Sequence, residues 1–118
     1  IDYAREILSP DQIVGLSNDG LLQATESEFK GSDYVAVGAI YPTSSLGKSN
    51  RAPVGVKNLE KIVREILIPV VSIGGINESN LHEVKKTGVN SACIVSDLTL
   101  STAPESKVKK LMKIWSEF

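Results

Sequence analysis

The sequence predicts an α/β protein with parallel strands covered by helices. Three observations carry that prediction. Short apolar runs alternate with helix-period segments four times. The strand-like runs are nearly continuous in apolar residues, the pattern of parallel strands buried on both faces. Glycine or proline punctuates most junctions, at Gly20, Gly31, Pro69, Gly74-Gly75 and Gly88.

The chain begins on helical spacing, with Tyr3, Ala4, Ile7 and Leu8. That helix is expected to stop before Pro10, because the residue preceding a proline avoids the α region. A chain that opens inside a helix, on Ile1 rather than Met, reads as part of something longer. The first unit has a strand over 12–17, a turn at Asn18-Asp19-Gly20 and a helix over 21–30, with Leu22, Thr25 and Phe29 on one face. Gly31 suits the left-handed residue that ends a helix. The second unit has a strand over 34–40, a polar loop over 41–55, and a helix with Leu59, Ile62, Val63 and Ile66 at the spacing of one buried face.

Pro69 opens the third unit, a strand over 68–73 that runs into Gly74-Gly75. Its helix is expected to begin at Asn77, with Leu81 and Val84 inward and Gly88 as terminator. The fourth unit has a strand over 91–96 and a final helix. Thr102 and Glu105 have capping-box spacing there, and Val108, Leu111, Met112 and Trp115 form an apolar stripe expected to pack in the core. Two architectures suit this order. A doubly wound open sheet fits 118 residues, whereas a (β/α)8 barrel needs about 200 or more, so the chain would hold half of one.

Composition removes several classes of function. Hydrophobic residues make up 42% and the formal net charge is −1, with no basic excess for nucleic acid and no polybasic patch for a membrane surface. No apolar stretch is long enough to span a bilayer. The single cysteine, Cys93, forbids an internal disulfide and is expected to be a buried structural thiol; with no visible signal peptide, a cytoplasmic protein fits best.

The candidate site lies at the C-terminal ends of the strands, where both architectures bind ligands. Those ends read Ser17-Asn18-Asp19, Pro42-Thr43-Ser44-Ser45, Gly74-Gly75 and Val95-Ser96-Asp97. Hydroxyls and glycines dominate, which is the chemistry of anion binding through O–H and N–H donors. Gly74-Gly75 lets backbone amides approach a ligand, and a helix starting at Asn77 would aim its dipole there. Turn and cap preferences alone also favour Gly, Ser and Asn at such junctions. The loop over 41–55 adds Lys48 and Arg51 with no acid, suiting a lid over a polyanion. His82, the only histidine, falls within a helix away from these ends, where an exposed or packing role is expected.

Four motifs in order resemble the thiamine phosphate synthase family. Residues 33–43, from Asp33 to Thr43, resemble its "DYVGVGPVFPT", and 68–77 resemble "IPVVAIGGIN". Residues 88–96 resemble "GADGVAVVS", and 13–17 resemble "IIGVS". The resemblance implies a (β/α)8 TIM barrel of which residues 1–118 are the C-terminal part, about four βα units in a single domain. It implies a transferase that joins hydroxymethylpyrimidine pyrophosphate to thiazole phosphate. The pyrimidine C–O bond breaks, pyrophosphate leaves, and the thiazole nitrogen captures the carbocation. By motif, Ser17 would contact the pyrimidine pyrophosphate as the catalytic residue. Thr43, Ser44 and Ser45 would bind the thiazole phosphate, and Gly75, Val95 and Ser96 would hold its phosphate.

The family has a lysine where Leu46 stands here; Lys48 takes that role if the loop carries a small insertion. The family's Mg²⁺ aspartates belong to the first half of its barrel, so no metal ligand is assigned here and the chain alone is expected to be inactive. Partners implied are the two substrates and the other half of the barrel, or a second copy. A thiazole tautomerase is an alternative, but it relies on a histidine where Asn18-Asp19 follow Ser17. Another phosphate-binding barrel and a non-enzymatic half-barrel that pairs through its open edges are the remaining alternatives.

Overall fold

A computed structural model describes residues 1–42 and 52–117. The first helix, α1, spans Asp2–Ile7 and ends ahead of Pro10 as expected. Strand β1 (Gly15–Asn18) leads to α2 (Leu21–Phe29), and β2 (Tyr34–Val37) to α3 (Gly55–Glu65). Strand β3 (Val70–Ile73) leads to α4 (Leu81–Lys85). Strand β4 (Ser91–Cys93) is followed by two helices, α5 (Ser96–Thr99) and α6 (Pro104–Ser116). Each strand is shorter than its apolar run, because the ladder covers only the part of each run that is paired in register.

The strands are parallel and lie in the order β1-β2-β3-β4. Ser17 pairs with Ala36, Ala36 with Val71, and Ser72 with Ala92. Right-handed crossovers between successive neighbours put their helices on one face. The order contains no reversal, so it lacks the switch point that defines a doubly wound sheet. An order without reversal is a winding that barrel folds share.

The two faces of the sheet differ. Val35, Val37, Val70 and Ser72 are buried toward the helices, while their neighbours Tyr34, Ala36, Val71 and Ile73 are half-buried on the other side. The expectation of strands buried on both faces is therefore corrected: one face is covered and the other is partly open. Leu59 and Ile62 of α3, Leu81 and Val84 of α4 and Leu111 of α6 fill the covered side. Each such side chain contributes about 1.5–3 kcal/mol by leaving water.

Polar ties close the layers. Buried Asn18 accepts from Ser27 Oγ at 2.6 Å and donates to the Leu16 carbonyl at 2.9 Å, joining β1 to α2. The Glu28 carboxylate accepts from the Leu67 and Ile68 amides at 2.6 and 3.2 Å. At the same N-terminal end of the sheet Asp33 accepts from the Val14 amide at 2.8 Å and from Arg5 at 3.1 Å. Those contacts, the Val14 amide first, hold its carboxyl below the usual range.

Several expectations fail on the helices. Leu22 and Phe29 are 76% and 93% exposed, and Thr25 is exposed with them. The buried face of α2 is instead Ala24 and Ser27, since small side chains let the helix approach the sheet. In α6 the core-facing residues are Leu111, Ile114 and Trp115; Met112 is 62% exposed and Val108 is also exposed. Trp115 packs as expected, with Lys85 Nζ 4.6 Å from its ring centroid. The Thr102–Glu105 capping box does not form: α6 starts on Pro104, whose missing N–H costs nothing there, and Ser101 Oγ accepts from the Ala103 amide at 3.1 Å. Cys93 is half-buried rather than buried, because β4 is an edge strand of the sheet.

Candidate functional site

Parallel register brings the C-terminal ends of all four strands to one rim. Ser17 is exposed there and, by strand alternation, points to the open face, opposite buried Asn18. Thr43, Ser44, Ser45, Leu46, Lys48 and Arg51 lie outside the described residues.

The Gly74-Gly75 turn is built by close packing. Gly74 has φ +110°, and a Cβ on it would stand 2.5 Å from the Ala39 Cα. Gly75 has φ +68°, and its Cβ would stand 2.8 Å from the Tyr41 Cβ. Both glycines are thus required by backbone conformation and by the loop after β2 pressed against them. The Ile40 amide donates to the Ile73 carbonyl and the Tyr41 amide to the Gly74 carbonyl, each at 3.0 Å. Burial first, then nearby Glu83, raises the Tyr41 hydroxyl above its usual pKa; that hydroxyl is buried and makes no hydrogen bond among the described residues.

The helix after this turn does not begin at Asn77. Asn77 organises a turn instead, its Oδ1 accepting from the Ser79 hydroxyl at 2.6 Å and from the Ser79 amide at 2.9 Å. Asn80 Oδ1 accepts from the Asn77 amide at 2.8 Å, its Nδ2 donates to the Gly75 carbonyl at 3.0 Å, and α4 starts only at Leu81. Short polar side chains at both positions satisfy the backbone locally, which outcompetes a helical turn. A helix dipole aimed at Gly75 is therefore not part of the rim.

The loop after β4 also differs from expectation. The strand stops at Cys93, and Ser96 opens α5 instead of ending the strand. Val95 is exposed and Ser96 half-buried. A cleft of about 470 Å³ lies between this helix and the β3–α4 turn, lined by Asn77, Ser96, Asp97, Ser101 and Lys107 among others. One network crosses it. Asp97 Oδ2 accepts from the Glu78 amide at 2.8 Å. Lys107 Nζ donates to Glu78 Oε1 at 2.6 Å and lies 3.5 Å from Asp97 Oδ1. The bond from Lys107 holds the Glu78 carboxyl below its usual range, and the same contact raises Lys107.

Asp97 and Lys107 carry this corner; the sequence places Asp97 at a strand end without giving it a role and does not point to Lys107. Ser96-Asp97 ahead of Leu98 is a helix-start pattern that points to α5. Nothing in sequence pairs Lys107 with residues ten and twenty-nine positions upstream. Among the described residues no three His, Cys, Asp or Glu side chains come together to hold a metal ion, so they do not fit a Mg²⁺ site. No described helix is long and apolar enough to cross a membrane.

The family model for thiamine monophosphate synthase matches residues 1–98. The chain belongs to the thiamine monophosphate synthase family. It is 39% identical over 117 residues to the thiamine-phosphate synthase of Pyrococcus furiosus, covering 99% of this chain and 55% of that protein. A solved thiamine phosphate pyrophosphorylase from the same organism superposes with TM-score 0.87 at 38% identity, over 98% of this chain and 54% of that one. An (S)-3-O-geranylgeranylglyceryl phosphate synthase from Thermoplasma acidophilum superposes at TM-score 0.75 and 13% identity, over 98% of this chain and 54% of that one. That likeness shows the barrel-type fold alone. The chain spans about half the length of the family members it matches.

Proposed function

We propose that this chain supplies the C-terminal half of a thiamine phosphate synthase barrel and, within it, the seat for thiazole phosphate. The observation that supports this most is the rim: Gly75 and Ser96 follow adjacent strands, β3 and β4, in a chain of this family. Barrel enzymes commonly hold a phosphate with the loops after their last two strands and a short extra helix, and the position of the short helix α5 directly after β4 supports that reading. Gly75, Val95 and Ser96 offer backbone amides and one hydroxyl to the phosphate. By family motif, Thr43, Ser44 and Ser45 would add donors for the thiazole phosphate and Lys48 for the pyrophosphate.

In this reading the seat acts by orientation. Fixing the phosphate places the thiazole nitrogen in line with the pyrimidine carbon that loses pyrophosphate. Ser17, exposed on the open face of β1, donates its hydroxyl to the departing pyrophosphate and favours charge that builds as the C–O bond breaks. In this reading the Mg²⁺ ligands and most of the pyrimidine pocket belong to the other half of the barrel. The exposed ladder edges of β1 and β4 are where that half would pair.

Two measurements test the proposal. Thiazole phosphate added to the ¹⁵N-labelled protein is expected to move the Gly75, Val95 and Ser96 amides, and unmoved amides would refute the seat. Thiamine phosphate formation is expected when the chain is combined with the N-terminal half of the Pyrococcus furiosus relative, and none from the chain alone. Full turnover by residues 1–118 would overturn the division of labour.

A further inference from the structure

The cleft between α5 and the β3–α4 turn carries a charge network that the family motifs do not include. Glu78 lies three residues beyond Gly75, and Asp97 directly follows Ser96. Each loop of the rim thus carries one carboxylate. Asp97 binds the other loop through the Glu78 amide at 2.8 Å. Lys107 reaches in from α6 to both carboxylates, at 2.6 and 3.5 Å.

We infer that Lys107, with Asp97 and Glu78, clamps the two rim loops at a fixed spacing and neutralises the charge beside them, making Lys107 a positioning residue for a bound phosphate. This rests on the proposed phosphate seat. Two consequences follow from the geometry. Beyond the β3–β4 ladder, which ends at Ile73 and Cys93, a bridge of hydrogen bonds ties the two loops that carry Gly75 and Ser96. The bridge also places two negative charges next to an anion site. With Lys107 present the local sum is −1, and without it −2; Lys110 faces Glu78 as well but supplies the smaller share of its stabilisation. A phosphate dianion approaching the rim therefore feels Lys107 through charge as well as through loop geometry. Charge acts through solvent and is screened, whereas geometry is not.

Inorganic phosphate is the probe, titrated against the ¹⁵N-labelled protein with the Gly75 and Ser96 amides as the readout. At about 20 mM salt, Lys107→Met is expected to weaken phosphate binding roughly threefold to tenfold, and Lys107→Arg to restore it. At about 0.5 M salt the part of the Lys107→Met deficit due to charge is expected to be screened, leaving the part due to loop spacing. Asp97→Asn keeps an acceptor for the Glu78 amide while removing one charge, and is expected to tighten binding at low salt. If Lys107→Met does not fold, Asp97→Asn carries the test, and unchanged affinity at low salt overturns the clamp. Wild-type affinity in Lys107→Met also overturns it, as does a deficit that Lys107→Arg does not relieve. Wild-type protein whose Gly75 and Ser96 amides ignore phosphate overturns the seat and the clamp together. Wild-type binding with an indifferent Lys107→Met overturns the clamp alone.

Discussion

The two corners of the rim are held by different forces. The Gly74-Gly75 corner is steric: two positive-φ glycines with Ala39 and Tyr41 pressed where side chains would be, and backbone bonds from Ile40 and Tyr41. The Ser96 corner is electrostatic: a carboxylate on a backbone amide and a lysine shared between two acids. Steric fit is insensitive to salt and pH and expensive to alter. Charged hydrogen bonds at a half-exposed cleft are cheaper and respond to both. A rim built this way has one corner fixed by shape and the other by charge.

The largest expected effect is at the steric corner. Gly74→Ala forces a Cβ against the Ala39 backbone at a φ that alanine resists, and is expected to lower unfolding free energy by about 2–4 kcal/mol in urea. A loss below about 0.5 kcal/mol would show that the corner yields and would erase the contrast. Asp97→Ala, next in size, deprives the Glu78 amide and Lys107 of their shared acceptor and is expected to cost about 1–2 kcal/mol. Added salt should narrow that difference while leaving the Gly74→Ala difference unchanged.

Acid titration sharpens the contrast further. The folded pKa of Glu78 is lowered from 4.5 by Lys107, so its contribution is fully present above 4.5 and is lost as pH falls through the lower folded value. Lys107 is raised from 10.5, so its contribution is fully present below 10.5 and is lost as pH rises through the higher folded value. The tie is complete between those limits. Below pH 4.5, stability of the wild type is expected to fall more steeply than that of Lys107→Met; equal slopes would mean the pair does not form in solution. Asp33 is also lowered and adds acid sensitivity common to both proteins. The smallest effects distinguish the observed start of α6 from the capping box. Ser101→Ala should cost roughly 0.5–1 kcal/mol by chemical denaturation, and Thr102→Ala less than about 0.5 kcal/mol.

Much of the wall was legible because it depends on local pattern. The i, i+3, i+4 spacing of Leu59, Ile62, Val63 and Ile66 identifies α3, and Pro10, Gly31 and Gly88 mark ends that the structure keeps. The α2 stripe was misread because Leu22 and Phe29 are apolar, whereas the sheet admits only Ala24 and Ser27 at that approach. The rim was read as glycines and hydroxyls in order along the chain. Its supporting side chains were not, since Asp97 and Lys107 matter only through partners in other units.

By itself the sequence determined the alternation of strands and helices, the family, and the glycine pair that follows β3. Those properties reside in short windows of sequence. Only the tertiary structure decided the one-directional winding, the open face of the sheet, the turn that replaces a helix start at Asn77, and the Lys107 bridge. Each of these is a choice among locally acceptable alternatives. It is settled by which distant backbone or charge comes within hydrogen-bonding distance when the layers pack.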